Sequence, residues 1–200
     1  MRWAVVPVVL MCHAVPALAQ ETQSSGAPFG LRWSMTKEEA EKEQIALTPE
    51  KGDAFGSTYR AANLPKVLAD TESVFISFGY DNKLWRIAAV SKTWRSDKDG
   101  SQSLNRFSKL SQLLDERYGN GRDISSPPRN KFMLDPEKFS WSIHSNERVQ
   151  AKNWSSPMAN IQLSLNAAAM DDLYYLIIYE NKPLSAAFSK AKATKEKDAL

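Results

Sequence analysis

The sequence predicts an α+β fold. Two stretches carry apolar residues at helical three-to-four spacing, several short runs alternate with the period of strands, and turn residues separate most of them. The order is helix, about three strands, helix, about four strands. That order predicts an antiparallel sheet built from two successive helix-plus-β-meander units, with the helices packed on one face. At 200 residues and 42% hydrophobic, the chain can bury one sizeable core, and one domain is the default.

Residues 1–19 read as a secretory signal. Arg2 carries the charge, Trp3 to Cys12 is apolar, and Ala17 and Ala19 form a small-x-small pattern that places cleavage after Ala19. The apolar run is shorter than the roughly 20 residues a spanning helix needs, and no later run approaches that length, so no transmembrane segment is expected. The localisation implied is periplasmic or secreted. A competing reading lipidates Cys12, although Met11 stands where such a cysteine normally follows a small residue. Cys12 is the only cysteine, so cleavage leaves no thiol for disulfides, metal ligation or nucleophilic chemistry. Residues 20–27 are polar and aperiodic and read as a flexible leader.

The domain is expected over residues 28–182. At its start, Thr36 and Glu39 have the spacing of a capping box, with helix 1 running from Lys37 to about Ile45 and stopping before Pro49. A first strand is read over Ser57 to Leu64. A clearer one spans Ser73 to Tyr80, where Val74, Ile76, Phe78 and Tyr80 alternate with Ser73, Phe75, Ser77 and Gly79. Asp81-Asn82 makes a tight turn into Leu84 to Trp94, apolar on both sides and therefore internal to the sheet.

Arg95 to Gly100 reads as a charged, solvated turn. From Ser101 the period becomes helical, with Leu104, Phe107, Leu110, Leu114 and Tyr118 on one stripe and Gly119 closing the helix. Asp123 to Pro136, with three prolines, reads as a long surface loop. Four strands are then expected: Lys138 to His144, Arg148 to Trp154, Met158 to Asn166 and Leu173 to Tyr179. Residues 183–200 form a basic tail, in which Leu184, Ala187, Phe188 and Ala191 fit a short amphipathic helix that covers the last strand before the end frays.

Catalytic signals are weak. His144 is the only histidine beyond the signal, no Gly-x-Ser-x-Gly elbow is present, and zinc sites of the usual Cys and His kinds cannot be assembled. Asp97 to Asp99 lacks the alternating ligands of a calcium loop. No cofactor, metal or nucleic acid is expected. The formal net charge of +3 is concentrated toward the lysine-rich tail.

The stretch Phe29-Gly30-Leu31-Arg32-Trp33-Ser34-Met35-Thr36, leading into an acidic helix, together with the Tyr118-Gly119 helix end, resembles small bacterial envelope proteins. These are the β-lactamase-inhibitor-like domains and the small outer-membrane-assembly lipoproteins. Ser34 stands where that pattern usually has glycine, and the inhibitors' disulfides have no counterpart. The resemblance implies helices on one side of an antiparallel sheet and a protein partner on the other. The strand alternation puts Phe75, Ser77, Ser140, Ser142, His144, Gln162 and Ser164 on that open side, as a noncatalytic binding surface for an envelope protein. Two alternatives stand beside it: a hydrolase of cell-wall or glycan material using carboxylates paired in space, and a carrier with an apolar pocket between helix 2 and the sheet.

Overall fold

A computed structural model describes residues 26–52 and 54–198. The expected signal, its cleavage point after Ala19, Cys12 and most of the leader lie outside the described residues. Ala27, expected in the leader, is already buried, and Gly26 bridges to Arg32.

Eight antiparallel strands form one sheet. They are β1 (Ala46–Pro49), β2 (Ser57–Ala62), β3 (Thr71–Phe78), β4 (Leu84–Ser91), β5 (Arg122–Asp123), β6 (Ala151–Ser155), β7 (Ala159–Ala169) and β8 (Asp172–Asn181). The spatial order is β1-β2-β3-β4-β8-β7-β6-β5. Each half of the chain is a meander, and the last strand of each half pairs with the other at the centre, Arg86 opposite Glu180 and Val90 opposite Leu176. The helices are α1 (Lys37–Lys42), α2 (Ser101–Tyr118), α3 (Phe139–His144) and α4 (Lys182–Asp198). The α+β fold expected from the sequence is thus the observed one.

The capping box forms as read. The Glu39 N–H donates to Thr36 Oγ1 (3.3 Å) and the Thr36 N–H to Glu39 Oε2 (2.9 Å). Just before it, Ser34 N–H donates to Leu84 O and Leu84 N–H to Met35 O, so the segment ahead of α1 is stitched to the start of β4. Leu31, Trp33, Met35, Ala40 and Ile45 join Val74, Ile76 and Ile87 in the core. On the other half, Phe107, Leu110 and Leu114 of α2 enter the same core as Leu163, Leu165 and Ile177. The helical stripe of α2 and the alternation of β7 and β8 therefore meet across one interface.

Two carboxylates fasten α2 to the rest. Asp70 accepts from Arg106 Nε and Nη2 (both 2.7 Å) and from the Tyr175 hydroxyl (3.1 Å). Burial alone would raise Asp70, but Arg106 and then Tyr175 hold it below its ordinary value. Burial and the same carboxylate push Tyr175 up to about 12. Asp115 accepts from Lys152 Nζ (2.7 Å), Trp154 Nε1 (2.8 Å) and the Gly121 N–H (2.9 Å), and Lys152 followed by Gly121 lowers it.

The structure differs from the sequence reading at several points. Residues 138–144 are helical: Asp135 caps the turn that starts at Pro136, and α3 follows. Phe139 and Ile143 stand four apart, a spacing that suits a helix as well as a strand, and both reach the core. β1 is an added edge strand ending at Pro49, and β5 lies inside the expected surface loop. Asp97, read as part of a solvated turn, is 2% exposed; its carboxylate accepts from the Gln102 and Ser103 N–H groups and caps α2. The tail helix reaches Asp198 rather than fraying early.

Candidate functional site

Strand register defines what lies opposite the helices. Side chains alternate across each strand, so once Ile87, Ile177 and Leu163 face α1 and α2, their neighbours face away. Paired positions then form rows across the sheet. One row runs Arg60, Phe75, Ala88, Ile178, Gln162, Asn153 and Arg122. The next runs Ser73, Val90, Leu176, Ser164 and Ala151. A third carries Thr58, Ser77, Arg86, Glu180, Asn160 and Ser155.

This face has two parts. At its centre Phe75, Val90, Leu176 and Ile178 make a half-buried apolar stripe over β3, β4 and β8. Arg60 places its guanidinium over the Phe75 ring, 5.3 Å from the centroid, which screens one end of the stripe. Toward β5 the surface becomes polar and dips into a trough of about 600 Å³ lined by Asn120, Arg122, Asn153, Asn160, Gln162 and Glu180 among others.

One corner of the face is roofed. The Phe55 ring lies 4.0 Å under the Arg86 guanidinium, and the Trp85 indole N–H donates to Phe55 O (3.0 Å). A register shift between Ser77 and Phe78 on β3 lets β4 bulge there. Trp85 then stacks on Phe188 of α4 (4.7 Å), and Phe188 on Tyr80 (5.1 Å). Arg86 is held by Glu180 (Nε to Oε1, 3.2 Å); burial draws its pKa down against that partner.

The residues singled out from the sequence fall into three groups. Phe75, Gln162 and Ser164 sit half-buried on the open face. Ser77 shares the register but is 1% exposed beneath the roofed corner, its hydroxyl 2.9 Å from that of Thr58. Ser140, Ser142 and His144 belong to α3 and not to the face. Ser140 and Ser142 are fully buried, Ser142 donating to Phe139 O (2.6 Å) and accepting from Arg148 Nε (2.9 Å), while His144 is exposed at the helix end. Sequence reasoning missed Val90, Leu176, Ile178, Asn153 and Arg122. The even positions of β8 were legible as a second apolar side, but only pairing with β4 and β7 makes them a surface.

Two smaller concavities flank α2 and α4. One of about 290 Å³ lies between α2 and β8, lined by Leu110, Leu113, Leu114, Ile177 and Tyr179 with Arg117 at its rim. The other, about 380 Å³, lies between Tyr80 and α4. None of the three concavities described brings two carboxylates together. Among the described residues there is no cluster of three His, Cys, Asp or Glu side chains placed to hold a metal, and no helix long and apolar enough to cross a membrane. Comparison with protein-family models, with curated proteins and with solved structures finds no match.

Proposed function

We propose that the chain is a noncatalytic binding protein of the bacterial envelope whose open sheet face receives a protein partner. The observation that carries this reading is the half-buried stripe of Phe75, Val90, Leu176 and Ile178 on the side of the sheet opposite α1 and α2. A contiguous apolar surface with a polar rim is the usual composition of a protein interface. The terminal strands are short, four residues in β1 with Pro49 at its end and two in β5, so the face offers a larger surface than either of them. The envelope assignment rests on the signal-like residues 1–19 and on the resemblance at Phe29–Thr36.

A photoreactive phenylalanine analogue at Phe75, compared with one at the exposed Glu41 of α1, tests the reading in the full chain expressed from its own cells. An adduct forms from the Phe75 site alone and disappears when Leu176→Glu is added. Adducts indifferent to Leu176→Glu, or none, overturn it. A second reading, carriage of a small apolar ligand, is favoured by the notch between α2 and β8. Its low volume, at the lower limit of ligand pockets, places it behind the first.

A further inference from the structure

The trough beside the apolar stripe has a chemistry of its own. Its floor is rich in carboxamides, and each of these both donates and accepts. Asn153 is half-buried and its Oδ1 has no hydrogen-bond partner among the described residues, an unmatched acceptor in the trough wall. Arg122 stands exposed on the outer wall with no carboxylate in contact among the described residues. The acid on the opposite wall, Glu180, is already matched by Arg86. The trough is therefore amide-rich with one unmatched positive charge.

Two further features choose among ligands. Ala151 O accepts from the Ile124 N–H, so residues 151, 153 and 155 direct their backbone groups away from β7. β5 ends opposite Asn153, so Ser155, paired with Asn160 on its inner side, has no β5 residue paired to it on its outer side at the trough. An extended main chain fits that position. Trp154, at the rim, turns its ring to the helix side and donates its indole N–H to Asp115, leaving hydrogen bonding rather than ring stacking to hold a ligand. The trough crosses β6, β7 and β8 at their ends, roughly 14 Å with β5 included, the length of about four extended residues.

We infer that this trough binds an extended polypeptide segment of the partner, its backbone amides meeting Asn153, Gln162 and the outer edge of Ser155 and one acidic side chain reaching Arg122. The inference rests on the partner-binding reading and narrows it to a short acidic segment. A phage-displayed heptapeptide library panned on the full chain, followed by calorimetry with synthetic peptides, tests it. Selected sequences share an Asp or Glu, and their affinity falls about tenfold for Arg122→Glu and for Asn153→Leu, the loss of roughly one charge-assisted or buried hydrogen bond. A peptide with Lys in place of its acid regains binding to Arg122→Glu. Arg122 is exposed, so that variant keeps the fold even where Asn153→Leu does not. Absence of an acidic consensus, or equal binding by parent and Arg122→Glu, overturns the inference, as does an Arg122-dependent signal on a glycan array with no peptide selected. Persistence of the Phe75 adduct alongside any of these results leaves the sheet-face interface standing while the trough reading falls.

Discussion

Ser34 has φ of 67°, the left-handed region that glycine enters freely and that costs an L residue about 1–2 kcal/mol. It is exposed, and its N–H is committed to Leu84 O. Ser34→Gly relieves the strain at some cost in unfolded-state entropy, so a net gain of about 0.5–1 kcal/mol is expected, read as a raised urea midpoint. An unchanged or lowered midpoint contradicts it. The Asp70 and Asp115 clamps act in the opposite sense. Both carboxyls lie below their ordinary value in the fold and return to about 3.9 when unfolded. The stability they add is complete above that value and is lost as pH falls through their folded values. Asp70→Asn, which leaves Arg106 half-buried without its ion partner, is expected to cost about 1–3 kcal/mol at neutral pH and to narrow the gap between urea midpoints at pH 6 and pH 3. An equal gap in both proteins would remove the clamp from the acid response.

At the scale of elements, α4 is attached differently from α1 and α2. Phe188 is its only buried residue among those described, held between Trp85 and Tyr80, with Lys195 Nζ over the Tyr80 ring (4.4 Å). Phe188→Ala is expected to free the helix without unfolding the sheet. Hydrogen exchange over residues 182–198 should rise while β7 and β8 stay protected; loss of protection in both would make α4 part of the cooperative core. The other elements show what the sequence carried. Local chemistry made α1 and α2 legible: a capping box, a stripe over four turns and a glycine after Tyr118, where φ is 83°. Alternation made β3 and β7 legible. It misled at Phe139 to His144, because six residues satisfy both periods and only Asp135-Pro136, which opens a helix, separates them. β1 and β5 have too few residues to show a period, and β5 is ordered by pairing with β6.

The whole molecule depends on the pairing of β4 with β8, and no local pattern announces it. Both strands are apolar on two sides, which marks them as central but leaves their neighbours unnamed. For the same reason Phe75 and Gln162 were recognisable as outward-facing, while the surface they share with Leu176 and Ile178 was not. It comes into being where the two meanders join. The join has a temporal side. Synthesis delivers β4 about ninety positions before β8, the separation of Arg86 from Glu180 across the hydrogen-bonded pair being 94. Until the last strand is complete, the first meander presents an apolar open edge able to pair with any other extended chain. A chain ending before Leu176 lacks every β8 residue that pairs with β4 and keeps that edge permanently, so C-terminal truncation to that point would yield an aggregating half rather than a smaller folded protein.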